Sequence, residues 1–262
     1  AQLKSAQLSD VQIQGSDLQG ADLRGANLNG ADLRNANLRQ VKLQNADLHH
    51  ARLDGADLEG AGLADADLRC ATLSGANLLE ANFYNTDLRG AQLRGAFAKQ
   101  ACFSYGNLQS AKLEEANLIG AKVQRASLQE AVFDRANLGG ASLLHCDMQG
   151  GIFRGSTWTG AEIRDCLLDG VDFQDADLGG VEIKDVSLKK AIFKRTNLRA
   201  SSMERCDLAQ IDAHAAIVDG ETYLWSCSVD ETADFTGVGL ANARIEPKLR
   251  GQLEYNIRRK AW

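Results

Sequence analysis

The sequence is poor in proline, in aromatic residues and in charge of one sign. Its 262 residues include one Pro and 6% aromatic residues, and the formal net charge is −6. A mild acidic balance of this size does not favour binding to nucleic acid or to an anionic membrane through a basic surface. The low aromatic content means that the core must be built mainly from Ala and Leu.

Several common signals are also missing. No run approaches the roughly 20 apolar residues that a membrane helix needs, and no charged-then-apolar segment opens the chain. The six cysteines include no CxxC pair and fit no disulfide or zinc motif, which predicts reduced thiols in a cytoplasmic protein. The chain starts at Ala1 inside a repeat, so we expect it to be a piece of a longer protein.

What the sequence does contain is a five-residue repeat. It begins AQLKS AQLSD VQIQG SDLQG ADLRG ANLNG and keeps its register through CDLAQ at residues 206–210, a run of 42 consecutive units. The third position of each unit is usually Leu, and the first position is small, most often Ala. Self-similarity over so much of the chain is the signature of a solenoid.

A five-residue period matches neither regular secondary structure. On a helix the leucines would rotate about 140° per unit and mark no stable face. On a flat strand an odd period would send alternate leucines to opposite sides. The pattern therefore predicts a chain that turns at a fixed point in every unit, so that the first and third side chains always point inward.

These units resemble the pentapeptide-repeat family, whose word is A(D/N)LxG or a close variant. The resemblance covers residues 1–220 and implies an all-β solenoid, the right-handed quadrilateral β-helix in which four units make one 20-residue coil. About eleven such coils are expected. Bulky and sulfur-containing residues recur at the same 20-residue interval, as stacking of like on like would select: Phe133, Phe153, Phe173 and Phe193; Phe83 and Phe103; Cys146 and Cys166.

The register fails after residue 220. We expect residues 1–220 to form the repeat domain, 221–232 a loop or irregular coil, 233–246 the last out-of-phase repeats, and 247–262 a C-terminal helix that starts at Pro247. A solenoid needs its open end covered. The helix is therefore predicted to act as a cap or as a homodimer contact through an apolar stripe of Leu249, Leu253 and Ile257.

One group of outward residues has the chemistry of a site. His50 and Cys70 both occupy the fifth position, 20 residues apart, and His49 adjoins them. They could form a Cys–His pair or hold a metal ion. The favoured interpretation is exposed variable positions with no metal, cofactor or catalytic role, because no orienting third group and no sheltered pocket are evident.

For the other unusual residues, a functional role is compared with a role in packing or in turns. Buried stacked cysteines are expected to be small core residues, and Trp158 and Ala98, both at third positions, to be core adjustments. Phe97, turned outward near Tyr84 and Tyr105, is a weaker candidate for a partner-binding surface. The Asp and Asn residues at second positions are expected mainly to shape turns rather than to form a recognition surface.

Function is predicted to be non-enzymatic, because a convex rod offers no cleft. We expect a scaffold or a protein-binding module that presents rigid flat faces to a protein partner. The alternative is the family's DNA-mimicking binder of type II topoisomerase, of the quinolone-resistance type. Summed over residues 1–220, the four faces carry about +1, −4, 0 and −3, which is too little charge for a mimic of DNA.

The end of the chain suggests a further possibility. The segment LEYNIRRKAW resembles the one that closes the repeats in some bacterial proteins where a membrane-spanning pair of helices follows. This resemblance implies membrane attachment of a longer protein, since basic residues are common on the cytoplasmic side of a membrane helix. The alternative is a basic last helical turn that complements the helix dipole.

Overall fold

Backbone hydrogen bonds join each coil to the next, as from Leu3 N to Asp22 O. The structure, a computed structural model, describes residues 1–260. The first four units each make a parallel bridge of their own, joining Gln2 to Asp22, Gln7 to Asn27, Gln12 to Asp32 and Asp17 to Asn37. Four units therefore make one turn, and the chain is a four-sided parallel β-solenoid, which confirms the predicted fold class.

One side of the solenoid carries regular strands. They are β1 (Lys122–Gln124), β2 (Ser142–Leu144), β3 (Glu162–Arg164), β4 (Glu182–Lys184), β5 (Ser202–Glu204), β6 (Tyr223–Trp225) and β7 (Arg244–Ile245). Each strand pairs in parallel with the next, so the sheet order follows the chain. A 3₁₀ turn at Leu240–Asn242 precedes β7, and helix α1 (Pro247–Lys260) ends the described chain.

The strands define about six turns of sheet, whereas about eleven coils were expected. The difference arises because the backbone stays extended over three residues on one side only, and only from Lys122 onward. Before that point the coils touch through isolated bridges of single residues, from Gln2 through Lys122, because the fourth and fifth residues of every unit turn at once.

The first and third residues of each unit form the core, as the periodicity predicts. Ala21 and Leu23 are fully buried, and the same two columns continue along the solenoid. The 20-residue spacing stacks the phenylalanines, with ring centroids 4.9 Å apart for Phe83 and Phe103 and 4.8 Å apart for Phe133 and Phe153. Stacking of like side chains therefore fills a core made mainly of small and aliphatic residues.

The two unusual third-position residues belong to this core. Trp158 is fully buried and Ala98 is buried. The indole Nε1 of Trp158 donates a hydrogen bond to Ser156 Oγ over 2.8 Å, so the polar end of the ring is satisfied inside the core. Their interpretation as core adjustments is consistent with this placement.

The geometry of the corners accounts for the residue types at the second and fifth positions of the repeat. The fifth residue has a left-handed backbone, with φ of 65° at Gly25, which is why glycine is frequent there. The second residue shapes the turn, because its side-chain oxygen accepts the backbone N–H of the fourth. Asp47 accepts from His49 in this way over 3.0 Å, and Asn27 accepts from Asn29 over 3.1 Å. Turn chemistry therefore accounts for these Asp and Asn residues.

Residues 221–232, predicted to be a loop or irregular coil, contain strand β6 and a further bridge from Asp207 to Ser228. The prediction missed the strand because Glu221 is one extra residue at a corner. Beyond it the inward columns resume, with Thr222 and Leu224 buried. The spacing between paired residues accordingly changes from 20 between β4 and β5 to 21 between β5 and β6.

Acidic side chains repair the hydrogen bonding where the register is broken. In a regular corner the fifth-position N–H donates to a backbone carbonyl of the next coil, as Arg195 does to His214 O. At the irregular corners a carboxylate oxygen takes that place. Ala200 N donates to Asp219 Oδ1, Gln210 N to Asp230 Oδ1, and Ser226 N to Glu246 Oε2, over 3.0, 3.0 and 2.8 Å.

Helix α1 packs against the last coil. Leu249 and Leu253 are buried, and Ile257 is half-buried against the core, as the apolar stripe predicts. Asn256 is buried as well, and its Nδ2 donates to Asp230 O over 2.8 Å. The helix is described from Pro247 through Lys260, and the last two residues of the predicted range 247–262 lie outside the described residues.

Candidate functional site

Charged side chains on the faces are paired with opposite charges. Asp32 is buried and accepts hydrogen bonds from two guanidinium groups, those of Arg34 at 2.7 Å and Arg52 at 3.2 Å. The hydrogen bonds from Arg34 hold the pKa of Asp32 well below its usual range, against the opposing effect of burial. This carboxylate remains ionised and paired over the physiological pH range.

The same pairing recurs along the solenoid. Further close ion pairs are Arg24–Asp22, Arg69–Asp67, Arg89–Asp87, Arg195–Asp175 and Arg205–Asp185, at 2.5 to 2.7 Å. Exposed pairs of this kind contribute little stability each. These pairs place positive and negative groups next to each other on the surface, so each carboxylate is locally neutralised.

The structure brings His49, His50 and Cys70 together at one corner. Their potential ligand atoms all lie within 4.8 Å of one another. The two imidazole rings stack, with centroids 4.0 Å apart and an angle of 20° between their planes. His50 and Cys70 are exposed, and His49 is half-buried. Nitrogen and sulfur donors at this separation can approach a common ion, so this group is the candidate site with the most specific chemistry.

The exposed aromatic candidates separate into two places. Tyr84 and Tyr105 lie side by side at one corner, with ring centroids 5.2 Å apart. Phe97 lies on another face, in a column of single-residue bridges with Asn77 and Asn117. The exposed fractions are 44% for Tyr84, 47% for Tyr105 and 53% for Phe97. The surface therefore offers a tyrosine pair and a separate phenylalanine, rather than one aromatic patch.

Four exposed apolar or aromatic residues escaped the sequence reasoning, one of which is Tyr255 on α1. Leu167 and Ile217 occupy second positions, where polar residues are usual, and Trp225 stands beside Tyr223 on β6 with ring centroids 5.6 Å apart. A search for apolar residues at second positions would have found Leu167 and Ile217. Trp225 was missed because the segment that contains it was predicted to lie outside the regular coils.

The buried cysteines have the properties of packing residues. Cys146, Cys166 and Cys206 lie in the core and are free thiols. The hydrogen bond of Cys146 with Cys166, together with burial, raises the pKa of the Cys146 thiol. A buried neutral thiol is a poor nucleophile. Their placement agrees with the interpretation as small core residues.

A depression lies at the C-terminal end, beside helix α1. An open depression of about 380 Å³ lies between the last coil and α1, lined by residues that include Asp230, Lys248, Tyr255 and Asn256. Tyr255 is 61% exposed, the largest value among the exposed apolar and aromatic side chains of residues 1–260. Leu249 and Leu253 are already buried against the last coil, so they act as cap contacts. Within residues 1–260, no helix combines the length and apolarity needed to cross a bilayer.

The fold and its surface define a class: a parallel β-solenoid repeat protein with an apolar core and polar faces. The sequence profile named Pentapeptide repeats, in eight copies, matches residues 6–45, 42–78, 66–104, 111–150 and 153–185. These segments cover more than half of the chain. The chain therefore belongs to the pentapeptide repeat family, which confirms the resemblance seen in its sequence.

Several solved structures are similar to this chain. HetL, a pentapeptide repeat protein involved in heterocyst differentiation regulation from the cyanobacterium Nostoc sp. strain PCC 7120, is 29% identical over 78% of this chain and 90% of HetL, with a TM-score of 0.33. A trypsin-treated form of QnrB1, a plasmid-mediated fluoroquinolone resistance protein, is 16% identical over 94% of this chain and 97% of QnrB1, with a TM-score of 0.39.

A pentapeptide repeat protein of the Arabidopsis thaliana thylakoid lumen is 30% identical over 50% of this chain and 66% of its own, with a TM-score of 0.13. No curated protein sequence matches the chain. Family membership thus rests on the repeat profile.

Proposed function

We propose that this protein is a non-enzymatic, cytoplasmic scaffold that binds a protein partner along its outer faces. The proposal rests on one observation, the division of the repeat into inward and outward columns. The first and third residues make the core, whereas the second, fourth and fifth face outward at the turns. Outward side chains that take no part in the hydrogen bonds of the turns can therefore vary with little effect on the solenoid, which suits a surface that recognises another protein.

The tyrosine pair is the first place at which we expect a partner to bind. Tyr84 and Tyr105 are large, half-exposed and adjacent. Tyrosine is enriched among residues that dominate the energy of protein interfaces, because it combines apolar area with a polar end. Phe97 offers a second anchor on another face.

Affinity capture from the native host tests this proposal. The double substitution Tyr84→Ser and Tyr105→Ser should remove at least one partner that the unchanged protein captures in stoichiometric amount, while leaving the fold intact. Trp225→Ser is the matched control, since it removes an exposed aromatic side chain far along the chain to which no binding role is assigned. The proposal fails if the captured proteins are the same for all three forms.

The DNA-mimicking alternative requires a different surface. A mimic of duplex DNA should present a dense negative field, since DNA carries a charge about every 1.7 Å along its axis. Here the carboxylates are interleaved with arginines, as in the pairs Arg69–Asp67 and Arg89–Asp87. We therefore expect micromolar protein neither to inhibit supercoiling by DNA gyrase nor to protect the enzyme from a quinolone. Either effect would favour the alternative.

A further inference from the structure

His49, His50 and Cys70 lie close together because the repeat places residues 20 apart on neighbouring coils. Cys70 stands at the same fifth position as His50, one coil later. The backbone holds the two coils in register, because His50 N donates to Arg69 O over 3.0 Å. The corner below is fixed by the hydrogen bond from His49 N to Asp47 Oδ1. The three side chains are therefore placed by a rigid backbone that exists before any ligand binds.

The space around this group is open along the column. The fifth position one coil before His50 is Gly30, and the one after Cys70 is Gly90, so neither neighbouring coil contributes a side chain. A Cβ atom added to Gly90 would lie 3.6 Å from the Sγ of Cys70. The donor atoms thus face solvent without a fifth-position side chain above or below them that would obstruct an ion.

The nearby positive charges are already neutralised. Arg69, the neighbour of Cys70, forms an ion pair with Asp67 at 2.5 Å, and Arg89 on the next coil pairs with Asp87 at 2.6 Å. The carboxylate of Asp47 adds a negative charge beside His49. A cation at this corner would therefore not meet an unpaired guanidinium from the fourth-position column.

The donor set selects the kind of ion. Two imidazole nitrogens and one thiolate suit Zn²⁺, whereas Ca²⁺ and Mg²⁺ prefer oxygen ligands. Bonds of about 2.0–2.1 Å to nitrogen and 2.3 Å to sulfur in a tetrahedron place neighbouring donors about 3.3–3.7 Å apart. The donors now lie within 4.8 Å of one another, and at least one exposed imidazole must rotate out of the stack for both rings to direct a nitrogen at the same ion.

We propose that His49, His50 and Cys70 form a surface binding site for Zn²⁺, with the fourth position open to water or to a ligand from another molecule. Cys70 binds as the thiolate, so its thiol proton passes to the buffer when the metal–sulfur bond forms. The imidazoles bind as neutral rings through one nitrogen each. This site is independent of the proposed tyrosine surface, which lies further along the chain.

Calorimetric titration of the purified protein with a zinc salt tests the site. The unchanged protein should bind Zn²⁺ at one saturable site, and the heat measured in two buffers should reveal the release of a proton. The variant His50→Gly, Cys70→Gly should bind at least about tenfold more weakly. Glycine is the usual residue at these left-handed corners, so this variant should fold at least as well as the original.

The matched control removes the same residue types elsewhere. His145 occupies an equivalent left-handed fifth position, and Cys102 is a half-buried thiol, so His145→Gly with Cys102→Ser should leave zinc binding unchanged. The proposal is overturned if the unchanged protein shows no saturable binding, or if the glycine variant binds as well as the control. Unchanged affinity and proton release in Cys70→Gly alone would also overturn it.

Discussion

The contribution of a side chain to the stability of this protein depends on its position in the five-residue unit. A third-position residue such as Leu108 is buried among its own coil and the two next to it, whereas its neighbour Gln109 faces solvent. Two consecutive residues can therefore be fully buried and exposed. Substitutions at adjacent positions should therefore differ sharply in cost.

Leu108→Ala should lower the free energy of unfolding by about 2–5 kcal/mol, because it removes buried methyl groups and leaves a cavity in a core that cannot collapse freely. Leu108→Asp should cost more, since it would bury a charge without a partner. Thermal melting of both variants measures the effect. Gln109→Ala is the control and should change little. A melt of Leu108→Asp that matches the unchanged protein would contradict the assignment of third positions to the core.

Asp32 should make stability depend on pH in a specific direction. Its pKa in the folded protein lies below the value of about 3.9 for an unfolded chain, first because of its hydrogen bonds with Arg34. Its contribution is therefore complete above about pH 4 and is lost as the pH falls toward the folded-state pKa. The difference in unfolding free energy between the protein and Asp32→Asn should shrink from pH 4 to pH 2.

Denaturant unfolding at several pH values checks this expectation. Asn137→Ala serves as the control, because Asn137 Oδ1 accepts the N–H of Gly139 and its column neighbours, Asn117 and Thr157, do not titrate, so its cost should stay constant over the same range. A constant difference between the protein and Asp32→Asn down to pH 2 would show that the ion pair does not stabilise the fold.

At the scale of the structural element, the irregular corners show how the solenoid tolerates an extra residue. The insertion at Glu221 displaces the carbonyl that a fifth-position N–H would normally meet. Asp219 Oδ1 takes its place for Ala200, and Thr222 Oγ1 binds Leu198 O within the core over 2.8 Å. The irregular hydrogen bonding caused by the Glu221 insertion is therefore confined to one corner, and strand β6 follows at once.

Asp219→Ala should destabilise this corner, because it removes the acceptor for the N–H groups of Ala200, Glu221 and Thr222. We expect a fall in melting temperature on the order of 2–4 °C. Asp219→Asn keeps an acceptor oxygen and should restore most of the loss. Glu182→Ala, which removes only an exposed ion pair with Lys184, is the control. Equal melting temperatures for Asp219→Ala and the control would contradict the role of this carboxylate.

The regular elements were predictable from sequence because one rule, inward first and third positions, applies to every unit. The last coils were harder. TYLWS at residues 222–226 does contain the inward pair Thr222 and Leu224, but the single inserted residue hides it from a search in strict steps of five. The buried Asn256 was also missed, since its burial depends on a hydrogen bond to Asp230 O that no local pattern indicates.

The candidate site was predictable in part for the same reason. The 20-residue interval between His50 and Cys70 indicated that they are neighbours. Proximity of Phe97 to the tyrosines was expected too, but Phe97 lies on a different face, because its unit, 96–100, is on a different side of the coil from units 81–85 and 101–105, which carry the tyrosines. The distances that bring three donors within reach of one ion require the three-dimensional structure.

For the whole molecule, the two ends of the described chain differ. The last coil is covered by α1, whose Tyr255 is exposed beside Arg258 and Arg259. We propose that two molecules associate through this end, with the outward surface of α1 as the contact. Leu249 and Leu253 stay within each molecule as cap residues.

Light scattering in solution tests this association. The unchanged protein should have the mass of a dimer, and Tyr255→Ser should have the mass of a monomer with an unaltered melting temperature. Removal of residues 247–262 should instead expose the core of the last coil and cause loss of stability. A monomeric mass for the unchanged protein at high concentration would contradict the proposed contact.

The in-register stacking of coils also limits the shape of anything that lies along a face. Equivalent side chains repeat at the spacing of neighbouring strands, about 4.8 Å. An α-helix laid parallel to the long axis repeats every 5.4 Å, so it drifts by about 0.6 Å for each coil and is half a step out of phase after about four. A helical partner can therefore match only a short stretch, whereas an array of strands could follow the solenoid from end to end.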